Sequence, residues 1–460
     1  MTKATDRLEA DAKRMKKHFA RVLKILEQTK PVDKKRKVER AEFQSRLQNT
    51  QAALADNRVQ TGLVFSDEHY CGDVPYLGGN TNVTVEQVAG IVGKTGFHLL
   101  AGLEGGYVAE QLSGRSGCKV HKSELLQLAD EIYPVAAERI EDVLQEANGG
   151  TMPERIALLT PRQVVPASLV EYLNRLFGPE NVIDCFEAFA RVKYEKSERE
   201  MELIRDASVI GDAVMSALLA VLEPGMLETQ VAAWGYFVAK ELGAEELGFD
   251  IMVGANEANR SLIGKALNRE IRCGDWVHLG VGAKRDGLNS CIRRSVIAVQ
   301  SPKEVTEEQK YWFELVEGAY RVGYQKYCEV AKKQLPARLQ EQALVDYFAS
   351  FSEEVSRRIG KPIDLASLKP YTGTHNSGYT ECQEFYGAIT LESAEPLGNR
   401  IVTMLDVALR GIGNHWNDIR IPGFDYLVIE NTLGKFGKKV ETFNALPINV
   451  QELVGRSPGK

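Results

Sequence analysis

The chain has 460 residues, of which 44% are hydrophobic, and its formal net charge is −6. This length exceeds what one hydrophobic core normally supports, so two domains are expected. The sequence contains no long uncharged apolar run, and its first thirty residues are charged, which argues against a membrane span and a signal peptide. The seven cysteines are scattered without a CxxC pair, which favours free thiols in a reducing cytoplasm.

Residues 1–40 form a basic leader with fourteen Lys or Arg against six acids, which leaves the remainder at −14. Met15, Phe19, Val22 and Leu26 recur at helical spacing, and this predicts an amphipathic helix whose apolar stripe docks on its own domain or on a second subunit. The basic run at 34–37 has no interleaved aromatic residues, so neither a nucleic-acid partner nor a membrane is expected.

Residues 41–192 alternate between helical segments and short apolar runs, and this pattern predicts an α/β layer domain. The predicted helices are 41–56, 121–146 and 167–177, and the apolar runs lie near 62–65 and 155–159. Residues 193–460 begin with a long amphipathic helix to about 221. Two strand pairs (276–283 with 291–299, and 400–409 with 424–431) enclose helices at 304–333 and 337–359, which indicates a mostly antiparallel sheet covered by helices.

Several segments follow a known family in order and spacing over about residues 40–432. They are Tyr76-Leu77-Gly78-Gly79, Lys196-Ser197-Glu198-Arg199-Glu200, Pro224-Gly225-Met226 and the hairpin from Gly274-Asp275 to Ser295. The chain thus resembles the creatinase/aminopeptidase P family. The resemblance implies an α/β fold with a creatinase-like N-terminal domain at 41–192 and a C-terminal pita-bread domain at 193–460, in which helices cover a curved, mostly antiparallel sheet. It also implies a homodimer.

The family binds a metal pair through two Asp, one His and two Glu, which polarise a carbonyl and activate water. Matched to that motif, the two aspartate positions hold Gly280 and Cys291, the histidine is His375, and the first glutamate falls on Asp406. The last glutamate falls on Pro422 or Gly423. No metal and no other cofactor is therefore expected. Restoring Asp at 280 and 291 alone is not expected to rebuild the pair, because the last carboxylate is also absent.

The resemblance and the residue chemistry together nominate a site. His375 is the candidate general acid or base. Asp406 lies among apolar residues and needs a partner, for which Arg294 is the candidate, and Arg294 can also hold an acidic substrate. Cys291 is either a nucleophile or an inert core residue.

Further candidates surround these three. Ser261 and Cys382 stand at two positions where the family places helper histidines. His278, two residues before Gly280, lies on the same strand face and permits a replacement metal site with Cys291, His375 and Cys382. Glu381 and Glu384 can flank a cationic ligand, and His415, Trp416 and Asp418 can form a wall beside the site.

Three functions remain open at this point. The first is a metal-independent, creatinase-like hydrolase that cleaves a C–N bond of a small polar molecule. The second is a catalytically silent pseudo-peptidase that binds a peptide or protein in the old cleft. The third is a lyase acting on an acidic small molecule.

Overall fold

The computed structural model describes residues 2–127, 137–382, 384 and 386–456. The first part of the chain carries the following helices and strands: α1 (Thr2–Gln28), α2 (Arg40–Asp56), β1 (Gly62–Ser66), α3 (Asp73–Gly78), β2 (Val88–Gly93), β3 (Gly96–Ala101), α4 (Leu103–Ser113), β4 (Lys119–Lys122), α5 (Ile140–Ala147), β5 (Ile156–Leu158), α6 (Ala167–Phe177), β6 (Val182–Asp184) and α7 (Phe186–Tyr194). Its six strands form one mixed sheet in the order β4-β3-β2-β1-β5-β6.

The second part is built around an antiparallel sheet. Its elements are α8 (Glu198–Val221), α9 (Glu228–Glu241), β7 (Met252–Ala255), β8 (Trp276–Val281), β9 (Lys284–Arg285), β10 (Leu288–Asn289), β11 (Ile292–Ile297), α10 (Glu307–Lys333), α11 (Arg338–Ser350), α12 (Ser352–Ile359), β12 (Thr374–Asn376), β13 (Arg400–Arg410), β14 (Tyr426–Phe436) and β15 (Lys439–Thr442). The sheet order is β12-β13-β14-β11-β8-β7, with β15 paired to β14. The predicted two-domain fold is confirmed.

Side chains alternate between the two faces of this second sheet, as its strands require. Val277 and Leu279 of β8 point into a core that they share with α8 and α9, whereas Leu405 and Val407 of β13 pack with α10 and α11. Helices therefore cover one face. The residues between these apolar positions point to the opposite face, here called the cleft face, where Val402 and Met404 pack against residues of the N-terminal domain.

The basic leader is helical over Thr2–Gln28 and docks on its own chain, but the predicted apolar stripe is covered only in part, since Met15 and Phe19 are 58% and 49% exposed. Val22 and Ile25 are buried in the core formed with α8. Arg21 donates from Nη1 to the carbonyl of Ala220 at 2.8 Å and to the carboxylate of Glu223 at 2.7 Å. Among the described helices, none combines the length and the apolarity needed to cross a bilayer.

The helix predicted over 121–146 is wrong for most of the residues that the structure describes. Residues 119–122 form strand β4, which pairs in parallel with β3, and the helix begins only at Ile140. Residues 128–136 of that prediction lie outside the described residues. This segment forms a strand despite its helical periodicity, because pairing with β3 buries His121 beside Leu100.

Buried ion pairs join the two domains. The Lys193 ammonium lies 2.7 Å from Asp73 Oδ1 and 3.0 Å from Glu384 Oε2. The lysines at 193 and 196 outweigh the effect of burial and lower the pKa of Glu384 to about 2. The proposal that Glu384 flanks a ligand is therefore wrong, because its carboxylate is committed to this junction.

Candidate functional site

A row of residues crosses four adjacent strands on the cleft face of the second sheet. Gly280 of β8 stands opposite Arg293 of β11, Arg293 stands opposite Glu430 of β14, and Glu430 stands opposite Asp406 of β13. His375, on the edge strand β12, approaches the same row, with its Nε2 3.5 Å from Glu430 Oε1. The pairing of adjacent strands thus brings residues from five strands together in one site.

Arg293 carries the positive charge at the centre of this row. Its Nη1 lies 3.1 Å from Asp406 Oδ2, and its Nη2 donates to the hydroxyl of Tyr426 at 2.8 Å and to the carbonyl of Leu262. A Cβ added at Gly280 would lie 3.2 Å from Cγ of Arg293, so the arginine stem occupies the space beside that glycine. A guanidinium therefore lies where the row would otherwise accept another carboxylate.

The predicted pairing of Arg294 with Asp406 is wrong. Consecutive residues of a strand point to opposite faces, and Arg294 lies on the helix-covered face. Its guanidinium donates to the carbonyls of Glu430 at 2.7 Å and Pro447 at 2.9 Å, and to Asn431 Oδ1 at 2.9 Å. The partner of Asp406 is Arg293, and the structure places Arg294 away from the cleft.

The expected loss of the last carboxylate is also wrong. Pro422 and Gly423 lie in the turn between β13 and β14, whereas Glu430, seven residues beyond Gly423, supplies a buried carboxylate in line with Asp406. Sequence reasoning missed Glu430 together with Arg293. A lone acid inside the apolar strand 426–433 was a signal that could have identified it.

The imidazole of His375 is surrounded by acids. Its Nδ1 hydrogen bonds to the carbonyl of Asn376 at 3.1 Å, and its Nε2 lies 3.5 Å from both Glu381 Oε1 and Glu430 Oε1. Burial favours the neutral ring, but the carboxylates of Glu381, Glu430 and Asp406 outweigh it and raise the pKa to about 10. His375 is therefore an imidazolium at neutral pH.

The pKa values of two neighbouring acidic groups are raised. Burial and the charge of Glu430 raise the pKa of Asp406 to about 7, although Arg293 and His375 oppose the shift. The thiol of Cys291 donates to Glu430 Oε2 at 3.2 Å, and burial with that carboxylate raises its pKa well above the ordinary value. A protonated, buried thiol does not serve as a nucleophile, so the geometry gives the nucleophilic hypothesis for Cys291 no support.

Two other candidates lie in loops near the cleft. Ser261 uses its hydroxyl within its own turn, donating to the carbonyl of Ala258 at 2.6 Å. His415 is exposed in the loop that joins β13 to β14, where Trp416 lies 6.0 Å from the Arg260 guanidinium. In the part of the chain that the structure describes, neither Ser261 nor His415 forms a hydrogen bond or an ion pair with the row of charged residues.

The replacement metal site that the sequence permits, with His278, Cys291, His375 and Cys382 as ligands, is not formed. Within the described ranges, no group of ligand atoms lying within 4.8 Å of one another includes His278 or Cys382. His278 hydrogen bonds through Nδ1 to Asn259 at 2.8 Å and meets the ring of Tyr426 edge-on. Cys382 is exposed next to Glu381, whose charge adds to partial burial and raises the pKa of the thiol.

The residues at the cleft do not fit a bridged metal pair. Gly280 offers no ligand atom, Cys291 offers a thiol already hydrogen bonded to Glu430, and the guanidinium of Arg293 pairs with Asp406. His375, Asp406 and Glu430 do bring ligand atoms within 4.8 Å of one another. The positive charges that lie between these carboxylates nevertheless come from the side chains of Arg293 and His375, and not from a metal pair.

We expect His278 to make stability fall with acid. Burial, together with the charge of Arg293, lowers its pKa from 6.5 to about 3, so between these values the unfolded chain binds a proton that the folded chain does not. Stability is thus fully present above pH 6.5 and falls toward pH 3, with a slope of up to about 1.4 kcal/mol per pH unit. Urea unfolding between pH 5 and 7 should show a shallower loss in His278→Gln. The exposed His69→Gln serves as control, and equal slopes in all three proteins would contradict the assignment.

Comparisons with known proteins agree with this architecture. The profile of Metallopeptidase family M24 matches residues 202–365. The X-Pro aminopeptidase from Thermotoga maritima superposes with a TM-score of 0.68 at 18% identity, over 88% of this chain and 99% of that one. The prolidase from Pyrococcus horikoshii superposes with a TM-score of 0.67 at 17% identity, over 89% of this chain and 100% of that one.

Curated sequence relatives match over shorter stretches. The uncharacterized peptidase YqhT of Bacillus subtilis is 22% identical over 237 residues, which are 50% of this chain and 62% of that protein. A Xaa-Pro dipeptidase of Pyrococcus horikoshii is 26% identical over 238 residues, which are 51% of this chain and 64% of that protein. The matches thus span less than two thirds of these relatives. Residues 202–365 thus match the M24 metallopeptidase family, and the chain has the two-domain fold of the X-Pro aminopeptidase and the prolidase.

Proposed function

We propose that this chain is a hydrolase that cleaves a C–N bond of a small, positively charged molecule and that it works without a metal pair. The observation that carries the proposal is the position of the His375 ring, whose Nε2 lies 3.5 Å from both Glu381 and Glu430 beside the Arg293–Asp406 pair. Such a site contains a proton donor, a proton acceptor and fixed charge, which are the parts that hydrolysis of an amide or amidine needs.

The charges favour a cationic substrate. Three carboxylates (Asp406, Glu430 and Glu381) face two cationic side chains (Arg293 and His375), so the ionised cluster has an excess negative charge. The His375 and Glu381 side chains are 17% and 13% exposed, whereas that of Glu430 is 1% exposed, so solvent reaches the cluster from the side of His375 and Glu381. A guanidinium, amidinium or ammonium group that enters there would neutralise the excess. A lyase acting on an acidic molecule suits this charge less well.

Two carboxylates of different exposure face Nε2 of His375. Within the described residues, Oε1 of Glu430 is buried and has no hydrogen-bond donor closer than His375 Nε2 at 3.5 Å. In the proposed reaction, Glu381, the more exposed of the two carboxylates, takes a proton from water while the water oxygen bonds to the substrate carbon. Nε2 of His375 then donates its proton to the departing nitrogen as the C–N bond breaks.

The test uses metal-stripped protein and a panel of guanidines, amidines, amides and dipeptides. We expect turnover that survives chelation, and His375→Ala should lower the rate by about 10²-fold or more, because the acid for the leaving nitrogen is lost. His415→Ala, which removes an exposed histidine of the neighbouring loop, should retain the rate. Activity that vanishes on chelation and returns with metal would contradict metal independence, and a fully active His375→Ala protein would contradict the acid role.

A catalytically silent binding protein is the second candidate. The bonding of Arg293 favours it, because both terminal nitrogens of the guanidinium are used by protein groups and the carbonyl of Leu262 closes over one of them. A guanidinium held in this way is less free to stabilise a developing oxyanion. Saturable binding of a cationic peptide, weakened by Glu381→Gln and without turnover across the panel, would favour this candidate over the hydrolase.

A further inference from the structure

Two buried histidines face each other in the N-terminal domain, away from the cleft. His98 lies on β3 and His121 on the parallel neighbour β4, and their ring centroids are 5.2 Å apart in a stacked arrangement. Nδ1 of His98 lies 3.0 Å from Nε2 of His121. Their exposed fractions are 3% and 0%, so water does not surround the pair.

The outer nitrogen of each ring already faces an oxygen acceptor. Nδ1 of His121 lies 2.7 Å from Glu138 Oε2, and a carboxylate there holds a proton on Nδ1. Nε2 of His98 lies 2.8 Å from the hydroxyl of Thr95, which also lies 3.1 Å from the carbonyl oxygen of Glu146 and 3.3 Å from that of Ala147. When the hydroxyl donates to a carbonyl, it accepts from His98 and Nε2 carries the proton of that ring; when it donates to His98, the ring proton lies on Nδ1.

The first tautomer of His98 leaves two lone pairs directed at each other. Nδ1 of His98 and Nε2 of His121 are then both acceptors, and a cation bound to both nitrogens satisfies them. Metal-bound histidines usually donate their outer N–H to a carboxylate or another oxygen, as His121 does to Glu138 and His98 does to Thr95. Two nitrogens on one tetrahedral zinc ion are about 3.3 Å apart, which is close to the 3.0 Å seen here.

A carboxylate completes the group from a third element. Glu146 lies in the last turn of α5, and its carboxylate oxygen is within 4.8 Å of one ring nitrogen of each histidine. The turn before β3 fixes this helix end, because Thr95 donates its backbone N–H to the carbonyl of Ala147 at 3.1 Å. The Glu146 side chain is 44% exposed and pairs with Lys119 at 2.7 Å, so it can rotate toward the histidines at low cost.

We propose that His98, His121 and Glu146 bind one first-row divalent metal ion, with Zn²⁺ as the ion that suits two imidazoles and one carboxylate. A cavity of about 410 Å³ borders the group and is lined by His98, Cys118, Lys119 and Glu146 among others. The fourth ligand position thus opens to solvent, where a water molecule can bind. A proton shared between the two rings is the alternative occupant.

The test adds Zn²⁺ or Co²⁺ alone to the metal-stripped full chain. We expect one ion per chain, visible absorption typical of tetrahedral Co²⁺, and a higher thermal midpoint with Zn²⁺. His121→Asn should weaken affinity by at least about 10²-fold, and Glu138→Gln, which only orients His121, by about 10- to 100-fold. Glu146→Gln, at an exposed position, removes a ligand without threatening the fold.

The controls separate this site from the cleft. His375→Ala and the exposed His69→Asn should bind Zn²⁺ as the unchanged protein does. Three results would overturn the proposal: no Zn²⁺ bound at micromolar concentration, unchanged affinity in folded Glu146→Gln and His121→Asn proteins, or binding lost in His375→Ala. If no Zn²⁺ binds, the group between the two rings is a proton that His98 and His121 share.

Discussion

Replacing Arg293 by Leu should lower the free energy of unfolding by about 3 to 5 kcal/mol, because the change removes one partner of a buried ion pair. Asp406 Oδ2 would lose the guanidinium at 3.1 Å, and Glu430 would lose the nearest cationic nitrogen of β11 at 3.9 Å. Both carboxylates are buried, so water cannot replace the lost charge. Urea unfolding at neutral pH measures the loss.

The destabilisation should depend on pH and on Asp406. Without Arg293 the Asp406 carboxyl can avoid an uncompensated charge by binding a proton, so the deficit should be smaller at pH 5 than at pH 8. In a double-mutant cycle, Asp406→Asn should cost less in the Arg293→Leu protein than in the unchanged one, with a coupling of about 1 kcal/mol or more. Additive effects, or an Arg293→Leu protein as stable as the original, would show that the pair contributes nothing.

Rebuilding a metal pair should require removal of Arg293. Gly280→Asp with Cys291→Asp restores the two aspartates, and Glu430 already supplies the last carboxylate. The double variant should still bind no metal pair, because the new side chain at 280 meets the Arg293 stem at 3.2 Å and the guanidinium repels cations. Adding Arg293→Ser should give about two bound Mn²⁺ or Co²⁺ per chain, since the acids then lack an internal cation.

The matched control for that design keeps the positive charge. The triple variant with Arg293→Lys in place of Ser should bind as little metal as the double variant. Metal content after dialysis, measured by elemental analysis, decides the matter. Two ions per chain in the Gly280→Asp, Cys291→Asp double variant would show that Arg293 is no obstacle.

The order of segments along the chain was enough to predict the two-domain fold. It was also enough to nominate His375, Asp406 and Glu381, which the structure brings together. The sequence could not decide between Arg293 and Arg294, because a shift of one residue in strand register exchanges the two faces. Glu430 was missed for a related reason. No motif residue in the loop 411–425 fixes the alignment of the following strand to the family pattern. The pairing of β14 with β13 in the structure sets the Glu430 carboxylate opposite Asp406.

The contact between Gly280 and the stem of Arg293 also limits the order in which such a site can change during evolution. An arginine at 293 leaves little room for any side chain at 280, and an aspartate at 280 leaves little room for the arginine. A lineage that lost its metal ions before it acquired the guanidinium would carry buried acids with no counter-charge, and so a less stable protein. A single substitution at 280 or at 293 therefore meets close packing or leaves a charge unpaired. The glycine and the arginine thus form a coupled pair, in which a change at one position favours a compensating change at the other.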